Sequence, residues 1–148
     1  MNALFQLVSE QEIAILVPLM REFYAQQHMA FDETVATGAL KKIIATPSLG
    51  QLHLIFRGPE LAGYFALTFC FSLEFHGRFA LLDELYIRAP FQRQKLGRAA
   101  VEFAQRICRD AKVAALRLEV WTGNTAAQSL YKAEGFSTEQ RFLMTKWL

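Results

Sequence analysis

The chain has 148 residues, 53% of them hydrophobic and 20% charged, and a net charge of +2. That length suffices for one domain, 1–148, with its own core, and charged residues interrupt every apolar stretch before the roughly 20 residues that span a bilayer. The chain is therefore expected to be soluble and without a membrane partner, and the opening MNALFQLVSEQE, which lacks the basic and apolar regions of a secretory signal, points to the cytoplasm.

LFQLV alternates like a short strand. Ser9 with Glu12 three positions on has capping-box spacing and predicts a helix over EQEIAILVPLMREFYAQQ, with a bend at Pro18. A second helix is expected from Asp32 to about Thr46, closed by Pro47 and Gly50. From Gln51 the period becomes two. QLHLIFR and LAGYFALTFCF form a hairpin around Gly58-Pro59-Glu60, and a turn near His76-Gly77 leads into the strand FALLDELYI.

Leu96, Ala100, Phe103, Ala104, Ile107, Cys108 and Ala111 then recur at helical spacing. ALRLEVW alternates as a strand, Asn124 opens a short helix that Gly135 closes, and FSTEQRFLMTKWL is expected to supply one or two final strands. A strand, helix and strand from Phe79 to Trp121 imply a parallel pair inside a mostly antiparallel sheet, because a helical crossover returns the chain in the same direction. The class is mixed α/β.

Charge is unevenly spread. Between Arg88 and Arg117 eight basic residues stand against two acids, so the middle of the chain attracts an anion. After Pro90, the run FQRQKLGRAA starts a helix whose first N–H groups lack partners and whose dipole is positive at that end. Gly97 permits close approach, and Gln92, Arg93, Lys95 and Arg98 add donors and charge, an arrangement suited to a pyrophosphate. In GNTAAQSLYKAEGF, Asn124 is a good N-cap and Tyr131 lies two turns further along the same side. No aromatic platform is interleaved with the basic residues, so no nucleic-acid partner is expected. The histidines His28, His53 and His76 share no metal-ligand spacing, so no metal site is expected, and Cys70 and Cys108 sit among hydrophobes as buried thiols would.

Together, LYI, QRQKLG and NTAAQSLYKAEGF resemble the GNAT superfamily of acyl-CoA-dependent N-acetyltransferases, best from Phe79 to Phe136. The resemblance implies that family's fold, with a central, splayed parallel strand pair flanked by helices, and acetyl-CoA as cosubstrate. It assigns the pyrophosphate to the backbone of Gln92, Arg93, Gln94, Lys95, Leu96, Gly97 and Arg98. The pantetheine arm falls to the strand edge Leu85, Tyr86 and Ile87 and to Asn124, the Leu85 N–H polarises the thioester carbonyl, and Tyr131 protonates the departing thiolate. Lys95 stands where the family's QxxGxG pattern has its first glycine, and Arg93 where glycine is frequent.

An alkyl amine, with a pKa near ~10.4, must lose a proton before it attacks a thioester. Asp83 and Glu84 are the candidates in FALLDELYI; they face opposite sides of a regular strand unless a bulge re-aims them. Asp83 is expected to be the water-linked base and Glu84 the attractor of a cationic acceptor, with the roles exchangeable and Glu119 a third candidate. CFSLEFHGRFALLDELYI is also similar to the polyamine and diamine acetyltransferase branch, which implies a small cationic amine acceptor with Glu74 as an outer acidic contact. The competing expectations are acetylation of protein or peptide amines, and a non-catalytic acyl-CoA-binding regulatory module. A homodimer through the final strand is a further expectation.

Overall fold

The computed structural model describes residues 2–148. In chain order the elements are β1 (Ala3–Leu7), α1 (Ile13–Gln26), α2 (Glu33–Ala45), β2 (Gly50–Arg57), β3 (Glu60–Ser72), β4 (Gly77–Ile87), α3 (Leu96–Asp110), β5 (Leu116–Leu118) and α4 (Thr125–Ala133). The five strands lie in one sheet in sequence order. The first three pairings are antiparallel, and β4 with β5 is parallel. This is the mixed α/β sheet expected from the crossover at Phe79 to Trp121.

The helix boundaries follow from their capping chemistry. The Ser9 N–H donates to the Glu12 carboxylate at 2.7 Å, closing the capping box ahead of a single 3₁₀ turn and α1. Asp32 caps α2 by accepting from the Val35 N–H at 3.0 Å, and Asn124 caps α4 by accepting from the Ala127 N–H at 3.1 Å. Gly135 ends α4 in the left-handed region, with φ of 91°.

Alternation along the strands sorts side chains onto two faces, each with its own core. On one face α1 and α2 bury Leu16, Val17, Met20 and Leu40 against Leu52, Leu54, Tyr64 and Tyr86. On the other, α3 buries Leu96, Ala100, Val101 and Ala104 against Phe65, Leu67, Ala80 and Leu82. His53 belongs to this second face, stacked on Phe65 at 4.9 Å and edge-on to Phe103 at 5.2 Å. Its Nδ1 has no hydrogen-bond partner among the described residues. Burial holds its pKa down, at about 4, so the ring is a neutral core group.

Two expectations are corrected. The strand predicted over ALRLEVW is only Leu116–Leu118, and FSTEQRFLMTKWL forms no strand. A strand exists only where a partner satisfies its backbone, and the outer edge of β5 has none among the described residues.

Candidate active site

The site is built around a change of phase in β4. The Ala80 N–H donates to the Ala115 carbonyl at 2.9 Å, towards β5, whereas the Arg88 N–H donates to the Ala62 carbonyl at 2.8 Å, towards β3. In an unbroken strand two residues eight apart point the same way. The reversal occurs at Asp83, where the register with β3 steps from Leu67 opposite Leu82 to Ala66 opposite Glu84 and leaves Asp83 as the extra residue of a β-bulge. Beyond the bulge, alternation turns the Leu85 and Ile87 N–H groups away from β3. They face the side where β5 pairs only with Ala80 to Leu82, so a gap opens between the two parallel strands. Gly63 holds the other side of β4 close, since a Cβ there would lie 2.0 Å from the Tyr86 carbonyl oxygen.

The chain leaves β4 through a 3₁₀ turn, Ala89–Phe91, and reaches α3 at Leu96. In this loop Arg93 and Lys95 both have left-handed backbones, with φ of 59° and 64°. Glycine adopts that conformation at no steric cost, which explains why it suits these positions; arginine and lysine hold it here at about 1 kcal/mol each. The result is a run of N–H groups, Arg93 to Arg98, with no acceptor among the described residues. Successive free amides at a helix start form an anion-binding concavity.

The side chains of this loop divide differently from the expectation. Gln92 and Gln94 donate to the Ile87 and Pro90 carbonyls, each at 2.9 Å, and so brace the loop. The Arg98 guanidinium lies 3.2 Å from Glu102 and 2.8 Å from Glu134, which offsets its charge. Arg93 and Lys95 have no ion-pair partner among the described residues. Gly97 faces α4: a Cβ there would touch Leu130 at 3.4 Å, so its smallness also serves helix packing.

Tyr131 of α4 packs on the α3 face in the same cluster as Leu85 and Ile87, edge-on to Phe136 at 5.8 Å. Burial raises its pKa, so the phenol stays protonated at neutral pH. Asn124 is exposed, and its side-chain oxygen is occupied by the α4 cap.

The opposite face carries the carboxylates. The Tyr24 hydroxyl donates to Glu84 Oε2 at 2.5 Å and the Tyr64 hydroxyl to Glu84 Oε1 at 2.9 Å, so both oxygens are engaged. Burial raises the Glu84 pKa and Asp83 adds repulsion, while the two phenols oppose the rise. The Asp83 carboxyl is also raised, by burial first and then by the Glu119 charge. Asp83 and Glu84 both act on the Tyr24 and Tyr64 phenols, whose pKa values are raised chiefly by burial. Beside them Glu22 of α1 accepts from Arg88 at 3.1 and 3.2 Å and from the Tyr86 hydroxyl at 3.1 Å, tying α1 to the end of β4.

The structure therefore brings together Asp83, Glu84 and Glu119, and on the other side of β4 Leu85, Ile87 and Tyr131. Glu74 is not among them. It lies in the β3–β4 turn, where its carboxylate accepts from Arg141 at 2.5 and 2.8 Å. Tyr24, Tyr64 and Glu22 are site-forming residues that sequence reasoning missed. Tyr24 and Tyr64 are 60 and 20 residues from Glu84, with no local pattern to link them.

Comparison with known proteins fits this arrangement. Residues 16–136 match the acetyltransferase (GNAT) family. The chain is 28% identical over 142 residues to an uncharacterized N-acetyltransferase of Lactobacillus delbrueckii subsp. lactis, covering 88% of this chain and 82% of that one. A crystal structure of an integron cassette protein from the mobile metagenome of Cole Harbour Salt Marsh superposes with a TM-score of 0.86 at 30% identity, over 97% of this chain and 90% of that one. A predicted acetyltransferase from Clostridium acetobutylicum, solved with acetyl-CoA, shares the fold with a TM-score of 0.84 at 11% identity, over 98% and 96% of the two chains. The family match spans residues 16–136, most of the sequence, and the solved structures share the fold over nearly all of it: this chain is a member of the GNAT acetyltransferase family, an acetyl-CoA-dependent acyltransferase.

Proposed function

We propose that the chain moves the acetyl group of acetyl-CoA to a primary amine of a small cationic molecule by direct attack in a ternary complex. The observation that carries this reading is the acidic cluster of Asp83, Glu84 and Glu119 at the bulge, with Glu84 fixed by two phenols. Asp83 and Glu119 are exposed and Glu84 is half-buried beside them; carboxylates so grouped attract a cation, and the similarity of CFSLEFHGRFALLDELYI to the diamine and polyamine branch supports the same class of acceptor.

The residues present suit acetyl-CoA. The free N–H groups of Arg93 to Arg98, with the Arg93 and Lys95 cations, would hold its pyrophosphate. The edge of β4 at Leu85, Tyr86 and Ile87 would pair with the pantetheine arm, with Asn124 at the far wall. The thioester supplies an activated acetyl carbon. The Leu85 N–H stabilises charge developing on the carbonyl oxygen.

Asp83 takes the proton of the acceptor ammonium through a water; its oxygens have no side-chain donor among the described residues, unlike those of Glu84. Glu84, whose two oxygens accept from the Tyr24 and Tyr64 hydroxyls, positions the cation, with Glu119 as a secondary contact. The amine nitrogen bonds to the acetyl carbon, the carbon–sulfur bond breaks, and the Tyr131 hydroxyl gives its proton to sulfur; the nitrogen's second proton leaves as the amide forms and restores the Tyr131 hydroxyl through solvent, so that the one proton taken by Asp83 is the net proton released. Direct attack is favoured over an acetyl-cysteine relay because Cys108 is buried on the α3 face with its thiol pushed up to about 11, and Cys70 lies towards the hairpin end of β3.

Thiol release from acetyl-CoA, measured with a diamine, a triamine, a neutral amino-acid amide and a lysine-containing peptide, tests the proposal. Saturable release with the diamine or triamine, at a kcat/KM at least tenfold above the peptide's, is expected. Preference for the peptide or the neutral amine would overturn it.

A further inference from the structure

Arg88 is the point at which the edge of β4 becomes the loop into α3, and it is held from three directions. Its N–H donates to the Ala62 carbonyl at 2.8 Å, and its own carbonyl accepts from the Phe91 N–H at 2.9 Å, closing the 3₁₀ turn. Its guanidinium crosses to α1, where Nε and Nη2 donate to the two oxygens of Glu22 at 3.1 and 3.2 Å. Glu22 also accepts from the Tyr86 hydroxyl at 3.1 Å.

Glu22 therefore grips two alternate residues of β4. Tyr86 and Arg88 face α1, while Ile87 between them packs in the α3-side core and has its carbonyl held by the Gln92 side chain at 2.9 Å. A fork of two bonds to a planar guanidinium fixes direction as well as distance. The rotation of the strand at Ile87 is thus set from both faces of the sheet.

The position of Arg88 separates it from the other cations of the basic stretch. Its guanidinium lies on the face of β4 away from α3, whose first amides would hold the pyrophosphate, and Glu22 offsets its charge. The two side chains are 40% and 38% exposed, so solvent screens the pair and its contribution to stability is small. What the contact supplies is geometry. We infer, resting on the placement of acetyl-CoA proposed above, that Glu22 is a positioning residue for the cofactor. Through Arg88 and Tyr86 it sets the angle at which the Leu85–Ile87 edge turns into the amides of Arg93 to Arg98, so that one extended molecule meets both.

Calorimetry of acetyl-CoA binding to the full chain tests this, because charge and position predict opposite signs. Glu22→Gln removes a negative charge and uncovers a cation, so charge alone would tighten the binding of an anionic cofactor. The expected result is instead a Kd raised at least fivefold, with Tm lowered by no more than about 4 °C. Arg88→Met gives a similar loss. Arg88→Lys does not restore affinity, because an ammonium has the charge without the fork. Glu22→Gln and Arg88→Met together bind within about twofold of either alone, since both break one contact. Arg93→Glu, on the loop itself, weakens binding by direct repulsion. With Arg93→Glu weakened, three results would each overturn the role of Glu22: parental or tighter binding in Glu22→Gln, parental binding in Arg88→Lys, or additive losses in the double variant. Parental binding in Arg93→Glu would place the cofactor elsewhere and remove the basis of that role as well.

Discussion

Replacing Tyr64 by Phe removes one oxygen and little else. The ring is 1% exposed and packed in the α1-side core, so Phe fills almost the same space. What disappears is the hydrogen bond to Glu84 Oε1. A bond to a charged group contributes about 1.5–3 kcal/mol, and for a chain of this length each kcal/mol is worth roughly 2–4 °C in Tm. The variant should therefore melt about 3–12 °C lower.

The functional consequence is separable from the loss of stability. Without Tyr64, Glu84 loses one of the two groups that oppose its raised pKa, so its titration moves further up and it holds the acceptor cation less well. Below the melting range, initial rates should show KM for the amine raised roughly tenfold, KM for acetyl-CoA unchanged, and the acid limb of kcat/KM displaced to higher pH. A variant that loses stability but keeps both the amine KM and the pH profile would show that Tyr64 merely packs the core, and Glu84 would lose its place in acceptor binding.

Tyr131→Phe should retain acetyl-CoA affinity by calorimetry and lower kcat at least tenfold, the usual effect of a lost general acid; unchanged kcat removes Tyr131 from proton transfer. Asp83→Asn should lower kcat/KM for the amine about a hundredfold at neutral pH, with activity recovering as the pH approaches the amine's own pKa. Because the folded-state pKa of Asp83 is raised, its ionised form costs stability at neutral pH. The same substitution should therefore raise Tm at pH 7, with a gain that vanishes below the unfolded value near ~3.9, where both states carry the proton. His53 has the opposite sign: with a folded pKa of about 4 against about 6.5 unfolded, the unfolded chain binds the proton first and stability falls as pH drops from about 6.5 to 4. The loss is about 3 kcal/mol. Chemical denaturation at pH 7 and pH 4 should show that loss in the parent and its absence in His53→Phe.

Much of the scaffold was legible because local chemistry decides it. Ser9 with Glu12, Asp32, Asn124 and Gly135 mark helix ends through bonds made within three or four residues. The crossover from Phe79 to Trp121 implies the parallel pair. The site was legible only in part. FALLDELYI shows two adjacent acids, but only the register with β3 reveals the bulge at Asp83 that re-aims them. Nor does anything near Tyr24 or Tyr64 in the chain indicate that both reach Glu84. In the loop before α3 the free amides were legible as those of a helix start after Pro90, but the positive φ of Arg93 and Lys95 runs against residue preference, so the left-handed turns ahead of Leu96 were not. The C-terminal strand failed for a different reason: its alternation is real, but no partner among the described residues satisfies it.

The central claim is that the acetyl group passes directly from acetyl-CoA to a cationic amine held at Glu84. An initial-rate matrix of acetyl-CoA against a diamine, run on the parent and on Glu84→Gln, tests it most directly. The account predicts intersecting double-reciprocal lines for the parent, as a ternary complex requires, and for Glu84→Gln a KM raised for the diamine alone. Parallel lines, which mark an acetylated enzyme intermediate, or an unchanged diamine KM in Glu84→Gln, would contradict it.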